Sequence, residues 1–466
     1  MGKGMKIGFL LGSPDINGGT YVIYEHGSRL AEMGHRVAVI TEQFVDPERH
    51  GWHPGAKNLE WLTLEEAENH TFDIVLATWW QSPFLLPRLS ARNYVYFVQS
   101  IESRFFEDEE PTHHSRRDLG IWQQYCDSTY SLNIPMITEA QWIQKHLYDN
   151  YNSNAFLVRN GIRKDIYTTD GHCAAPRVAG KLRVLVEGPV DVHYKNVPKS
   201  IRLCREAGVD EVWLLTSSDV ESYPEVDRVF SRIPIHETPE IYRSCDVLVK
   251  LSYVEGMFGP PLEMFHCGGT AIVYDVTGHD EYITHDENSY VVARDQDQEV
   301  VSLLQRLKVD SFELKRLKEG ADHTAENWPN WDNAAADFEV ALAKISSGPP
   351  TSRSYLRKLT DQLTEANNER LQMREVNRFQ SREQELGTHK IDQGNFLQVY
   401  YWAEKDGLSG ENFKWLYYGN DELVSLTVDL TITGFPFWIR VDPSTRMGMV
   451  AIESISVVNK RLGNVV

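Results

Sequence analysis

Short apolar runs alternate with amphipathic stretches of helical length, and the alternation passes through the chain twice. Lys6–Leu11 reads as a buried strand. Gly18–Met33 reads as a helix with Val22, Ile23, Leu30 and Met33 apolar, and Arg36–Thr41, Asp73–Trp79 and Asn93–Gln99 read as further strands. Strands that alternate with helices imply a parallel sheet, because each parallel pair needs a crossover long enough to hold a helix against the sheet face. The pattern then restarts: Lys181–Glu187, Glu211–Thr216, Asp246–Lys250 and Thr270–Tyr274 are strand candidates, and Val197–Ala207 is one of the helical stretches between them. This predicts an α/β chain of two Rossmann-like domains, residues 1–160 and 161–345. A hinge is expected near Arg159-Asn160-Gly161, with an amphipathic helix around Trp331–Ile345 closing the second domain.

Beyond that point the character changes. Ser346-Ser347-Gly348-Pro349-Pro350 is turn-like, and Ser354–Leu386 holds neither Gly nor Pro, so residues 346–394 read as a linker and a long helix. Leu356, Leu359, Leu363, Ala366 and Met373 sit at heptad spacing, interrupted by Arg370, Asn377 and Gln380. Such a helix either straps its own protein or forms a stalk joining two copies as a homodimer. In residues 395–466, Leu426, Val428, Leu430 and Ile432 alternate with polar residues, Phe435, Phe437, Ile439 and Val441 share one face with Trp438 and Arg440 on the other, and Val450–Val458 is a further strand. Period-2 segments separated by turns predict a small antiparallel β-sandwich. Its aromatic residues (Tyr400, Tyr401, Trp402, Tyr417, Tyr418, Trp438) either stack on sugar rings or fill a core or docking face. Trp438 and Arg440, opposite the apolar stripe, are the candidates for an accessory glycan-binding surface.

Composition narrows the function. With 466 residues, 41% of them apolar, the chain can bury a large core without a metal or disulfide staple. Its 47 basic and 67 acidic residues give a net charge of −20, a field that repels nucleic acid and anionic lipid. It leaves room for a local basic pocket that takes one phosphorylated small molecule. Five cysteines form no CxxC pair and are odd in number, which reads as reduced thiols in the cytoplasm. His113-His114 and His266-Cys267 lack a second ligand pair at zinc-like spacing, so no metal is expected. The apolar run near Met1 is too short for a signal peptide, and no stretch approaches the length of a membrane span, so no transmembrane segment is expected.

Two strings carry chemistry. Ser13-Pro-Asp-Ile-Asn-Gly-Gly-Thr20 follows the first strand and opens a helix, where Gly18 and Gly19 either make a plain tight turn or let the backbone and the helix N-terminus approach a phosphate. The second is Val254-Glu-Gly-Met-Phe-Gly-Pro-Pro-Leu-Glu263, which runs on through Met-Phe-His-Cys-Gly to Gly269. Pro260 and Pro261 suit the first turn of a helix, where missing N–H groups cost little. Glu255 then falls in the preceding loop and Glu263 in the first helical turns. A carboxylate can accept two hydroxyls of a vicinal diol, as on a sugar or a ribose. Around Glu255 the loop runs Gly256-Met257-Phe258-Gly259, and its N–H groups from Met257 to Gly259 would face a diphosphate. An acid placed for the helix dipole would explain Glu263 but not the whole string.

Over residues 5–345 the chain resembles the retaining, nucleotide-sugar-dependent glycosyltransferases of GT-B fold, family 4, whose Glu-x7-Glu motif reads much like this one. It is most similar to the rhamnosyltransferase-like branch of bacterial polysaccharide and surface-glycan synthesis, through Tyr96-Phe-Val-Gln99-Ser-Ile-Glu102-Ser-Arg-Phe-Phe106 and Val249-Lys250-Leu251-Ser252. The tail string Ile439-Arg-Val-Asp-Pro443 resembles small sandwiches found beside such enzymes. The resemblance implies two domains facing a cleft. Glu263 would hold the ribose hydroxyls, Glu255 the donor-sugar hydroxyls, and Gly18 and Gly19 the diphosphate. Lys195, in Glu187-Gly-Pro-Val-Asp-Val-His-Tyr-Lys195, takes the place of the phosphate-binding lysine, so Glu255 and Lys195 are the expected catalytic pair. Many members carry an arginine after the preceding glycine. Here Pro189 follows Gly188, and Lys250 or Arg159 is left as the substitute. Gln99 and Glu102 would face the donor sugar or the acceptor, although a buried hydrogen-bonded turn is the alternative for this stretch.

The reaction so implied is transfer of a sugar, rhamnose or another deoxyhexose by resemblance, from a dTDP-, UDP- or GDP-linked donor to a hydroxyl of a glycan, with retention. Attack occurs on the same face as the leaving diphosphate, which assists deprotonation. No cofactor is called for beyond the nucleotide sugar as substrate. Two rival readings are a noncatalytic glycan-binding protein and a GT-B-fold epimerase or phosphorylase. The paired glutamates argue against the first, and the missing pyridoxal phosphate lysine or acid/base pair against the second.

Overall fold

The computed structural model describes residues 4–106, 116–386, 395–403, 413–418 and 437–443, with side chains over 4–106 and 120–373. Contacts divide the chain into two units. One comprises residues 1–109 and 116–369, and the other residues 110–115 and 370–466.

The larger unit holds two parallel sheets. The first runs β3 (Glu60–Thr63), β2 (Arg36–Thr41), β1 (Lys6–Leu10), β4 (Thr71–Ala77), β5 (Ser90–Val98), β6 (Met136–Thr138) and β7 (Phe156–Leu157) in spatial order. The second runs β10 (Arg228–Ser231), β9 (Glu211–Thr216), β8 (Arg183–Glu187), β11 (Val247–Lys250), β12 (Thr270–Tyr274) and β13 (Ser289–Val292). Helices cover both faces of a parallel sheet, so its strands are sealed on both sides. Ile7, Phe9, Val39 and Ile74 in the first sheet, and Val184, Leu185, Leu248 and Ile272 in the second, are fully buried. That is why they read as unbroken apolar runs. Strand order reverses between β1 and β4 in one sheet and between β8 and β11 in the other. In doubly wound sheets the crevice beyond the carboxyl ends of such strands is where ligands bind.

The chain passes between the two domains twice at one place. Ile162 forms a parallel bridge with Asn330, and a Cβ on Gly161 would stand 2.3 Å from the Asn330 carbonyl carbon, so only glycine allows the crossing chains to touch. The helix after the second crossing, Trp331–Ser347, does not close the second domain. Trp331, Ala334, Phe338, Leu342 and Ile345 join the core built by Ile7, Phe9 and Val95 of the first sheet. Its amphipathic face is as expected, but it belongs to residues 1–160. The long helix Arg353–Leu386 starts the same way. Leu356 is buried in the other core of the first sheet, with Leu359 and Leu363 packed against it, so these three seam positions face the chain's own domain while Met373 is exposed.

The second unit contains an antiparallel sheet, β15 (Phe413–Tyr418), β14 (Asn395–Ala403) and β16 (Phe437–Pro443) in that order. Trp438 pairs in register with Trp402, and Arg440 with Tyr400. Their side chains, and the expected strands Ser425–Ile432 and Val450–Val458, lie outside the described residues. The five cysteines are unpaired. Among the described residues no helix is long and apolar enough to cross a membrane, and no group of three or more His, Cys, Asp or Glu residues is placed to hold a metal.

Candidate active site

Both chemical strings fall at the two points where strand order reverses. The loop after β1 carries Asn17, whose side chain accepts from the Thr20 N–H at 2.8 Å and so caps the helix Gly18–Glu32. No atom stands within 4 Å of a Cβ on Gly18, while one on Gly19 would lie 3.4 Å from Gln99 Nε2. Gln99 follows β5 and donates from Nε2 to the Thr78 carbonyl at 3.2 Å, leaving its buried Oε1 without a partner.

In the second domain the loops after β8 and β11 bring four charges together. Lys195 Nζ donates to Glu255 Oε2 at 2.8 Å. Lys250 Nζ donates to Glu187 Oε2 at 2.5 Å and stands 3.7 Å from Glu255 Oε1. Burial opposes the ionisation of Glu255, but the ammonium groups of Lys195 and Lys250 outweigh it and hold its carboxyl below the usual range. Lys250 is likewise held charged despite burial, by Glu187 and Glu255. The two lysines differ in access: the Lys250 side chain is 3% exposed and that of Lys195 21%. Glu255 Oε1 is buried and makes no short hydrogen bond; it faces the Lys250 ammonium across the 3.7 Å ion pair, and the Ser252 hydroxyl adds to the groups that hold the carboxyl ionised.

Gly188, at φ +139°, packs against Val197 and Lys195, a close approach that only glycine makes cheaply. The helix Gly259–His266 starts as expected with its prolines in the first turn. Glu263 on that helix is pushed up to about 7 by burial, partly offset by hydrogen bonds from Tyr242 and Tyr167.

The remaining expected residues are placed as follows. Met257 N–H donates to Glu139 Oε1 at 3.1 Å, and Gly259 N–H donates to the Met257 carbonyl at 3.0 Å. Gly256 packs on the first domain, where a Cβ would stand 2.1 Å from the Gln99 carbonyl oxygen. Its own carbonyl accepts from Trp142 Nε1 at 2.9 Å, and Phe258 is buried. Glu102 accepts from the Trp80 N–H at 2.6 Å and faces the Tyr96 hydroxyl at 3.4 Å, with burial raising its carboxyl to about 8. This is the buried-turn arrangement. Arg159 lies 3.6 Å from Glu281 and over the Trp328 ring, while Lys250 is the residue beside Glu255.

Four contributors lie outside the Val254–Gly269 string. Glu139, from the first domain, takes the Met257 N–H together with Asn160 Nδ2 at 2.8 Å, and burial raises it to about 8. Tyr167 and Tyr242 surround Glu263. Glu187 stood in view just before Gly188, and only its place at the end of β8 shows that it anchors Lys250.

Two parallel-sheet domains of this topology, with a polar cleft at both strand reversals, define the GT-B architecture. The solved structure of Anabaena Alr3699/HepE in complex with UDP and glucose superposes on 73% of this chain and all of that one, with a TM-score of 0.57 at 15% identity. Residues 223–324, which contain the Glu255–Glu263 string, match the family Glycosyl transferases group 1. Among curated relatives, the chain is 26% identical over 235 residues to the O-antigen biosynthesis protein RfbC of Myxococcus xanthus, covering 46% of this chain and 16% of that one. It is 34% identical over 118 residues to the D-inositol 3-phosphate glycosyltransferase of Streptomyces bingchenggensis, covering 25% of this chain and 26% of that one. The matches therefore span about a sixth and about a quarter of those two relatives.

Proposed function

We propose that the chain is a retaining, family 4 glycosyltransferase that moves a sugar from a nucleotide-diphosphate donor to a hydroxyl of a glycan in the cytoplasm. The observation that carries this reading is Glu255, whose Oε2 is fixed by Lys195 and whose Oε1 faces Lys250 without a short hydrogen bond. Oε1 accepts a hydroxyl of the donor sugar and orients its anomeric carbon. Lys195, the accessible cation, turns to the diphosphate as negative charge develops on departure. Lys250 backs Glu255 from behind and keeps it ionised. Across the cleft, Gly18 and Gly19 at a helix N-terminus add N–H groups and a positive dipole end toward the phosphates. Glu263 holds the ribose, its raised carboxyl suiting it to both donate and accept. Attack on the same face as the leaving group needs no protein base, and the chain's own cations suffice without a metal.

The similarity to an O-antigen biosynthesis protein supports a surface-glycan acceptor, and the UDP complex of the GT-B neighbour makes UDP the first nucleotide to try. A deoxyhexose such as rhamnose from a dTDP donor is the finer reading, carried by the rhamnosyltransferase-like strings. A homodimer through the far part of the long helix, where Met373 is exposed, completes the proposal.

The test is release of nucleoside diphosphate from UDP-glucose and dTDP-rhamnose, with and without EDTA, by the full chain and two variants. Glu255→Gln and Lys195→Ala are each expected to lower turnover about tenfold or more, the scale of one lost transition-state contact. Unchanged turnover in both variants contradicts the site. Release that EDTA abolishes contradicts metal independence.

A further inference from the structure

The peptide unit joining Gly256 to Met257 is gripped at both ends by the first domain. Its carbonyl, that of Gly256, accepts from Trp142 Nε1 at 2.9 Å, and its amide, that of Met257, donates to Glu139 Oε1 at 3.1 Å. A trans peptide is planar and points its C=O and N–H opposite ways, so the two side chains stand at opposite edges and fix its plane. Both come from one short stretch of chain. Glu139 follows β6, and Trp142 lies in the first turn of the helix Gln141–Tyr151.

The grip is itself anchored. Glu139 Oε2 accepts from Asn160 Nδ2 at 2.8 Å, and the Asn160 carbonyl accepts from Trp328 Nε1 at 2.9 Å. The carboxyl group is thereby tied to the place where the chain crosses between domains. Glu139 and Asn160 are 5% and 4% exposed, so water is a poor substitute for these bonds. The helix Gln141–Tyr151 takes no side-chain cap from Ala140 before it. The Gln141 and Trp142 N–H groups donate instead to Glu281 of the second domain.

The sequence explains why this unit needs holding. Gly256 has no side chain to restrict its torsions, and a Cβ there would meet the Gln99 carbonyl oxygen at 2.1 Å. The residue that lets the loop approach the first domain is thus the one least able to fix its own peptide plane. Any displacement of the unit is felt one residue away at Glu255. There the carbonyl accepts from Thr277 Oγ1 at 3.2 Å, and the carboxyl meets Lys195 and Lys250.

We propose that Glu139 and Trp142 are positioning residues for the transfer reaction: by clamping the Gly256–Met257 peptide from both ends they hold Glu255 where it meets the donor sugar. The inference rests on the donor reading above. Both side chains act through Glu255 and not on the substrate itself.

The test compares the full chain with Glu139→Ala, Glu139→Gln, Trp142→Phe and the Glu139→Ala/Trp142→Phe double variant. Release of nucleoside diphosphate from UDP-glucose or dTDP-rhamnose, whichever the parent turns over, gives kcat and KM per folded molecule. Hydrogen exchange of residues 254–264 reports on the loop independently of activity. Glu139→Ala is expected to lower kcat about tenfold or more, within the roughly hundredfold that misplacement by about 1 Å can cost, with KM changed less. Glu139→Gln keeps an acceptor for the Met257 N–H and should restore most of the rate. Trp142→Phe keeps a ring, removes the donor and should lower kcat in the same way. Because both residues hold one peptide, the double variant should lose little more than the worse single one. Exchange should quicken in Glu139→Ala and not in Glu139→Gln. Unchanged kcat or unchanged exchange in Glu139→Ala overturns the clamp, as does a Gln variant no better than the Ala one or losses that multiply in the double variant. If the parent releases diphosphate from neither donor, the donor reading fails and the role in transfer with it, and the exchange result alone decides whether the clamp holds the loop.

Discussion

Glu102 illustrates the cost of a buried carboxyl and how it can be measured. Burial raises it to about 8, so the folded protein holds a proton that the unfolded chain releases near the ordinary glutamate value. Its contribution to stability is full below about 4.5, the unfolded range, and falls as pH rises toward 8. Glu102→Gln keeps an oxygen for the Trp80 N–H and removes the titration. The variant's melting temperature relative to the parent is therefore expected to climb between pH 5 and pH 8, and a constant difference would contradict the buried, protonated carboxyl. Gly256 tests backbone approach. A Cβ there meets the Gln99 carbonyl oxygen at 2.1 Å, so Gly256→Ala should force the loop from the first domain and lower donor turnover more than it lowers melting temperature. Glu255 and Glu263 were legible because one short string fixes their spacing on a loop and a helix, whereas Lys195, 60 residues earlier, came only from the family resemblance. Glu139 was not legible, because it reaches the cleft from the other domain and nothing beside it in the sequence marks its destination.

The helix Trp331–Ser347 shows what periodicity does and does not reveal about an element. Its spacing of apolar residues establishes a buried face. Which core receives that face is decided by the crossing at Asn330, and it is the first domain's: Phe338 packs on Phe9 and Phe97 at 6.2 and 5.2 Å between ring centres. Phe338→Ala is expected to cost about 3–5 kcal/mol, the usual range for a large aromatic lost from a core. Urea unfolding monitored in the first domain reads it, and a loss confined to the second domain would contradict the placement. The central parallel strands were legible as apolar runs because both their faces are sealed. β3, β6, β7, β10 and β13 were not: they have four residues or fewer and lie at or near sheet edges, too short to show a period.

At the scale of the whole larger unit, the cleft is bridged from both sides. Phe105 stacks on Tyr194 at 4.9 Å, Glu139 holds the Met257 N–H, and Glu281 of the second domain accepts from the Trp142 N–H at 3.3 Å in the first turn of the helix Gln141–Tyr151. These contacts set the Gly256–Gly259 loop against the first domain, an arrangement that would exclude water from the proposed transfer reaction. The double alternation in the sequence announced two such domains, and the Glu-x7-Glu string falls where strand order reverses in the second one. The most direct measurement is thermal shift of the full chain against UDP, GDP, dTDP and ADP, repeated with EDTA and with Lys195→Ala. A nucleotide at one hundred times its dissociation constant adds about 2.7 kcal/mol. One nucleotide is expected to give a clear, EDTA-insensitive rise that Lys195→Ala diminishes. No rise with any of the four would contradict a nucleotide-sugar site in this cleft.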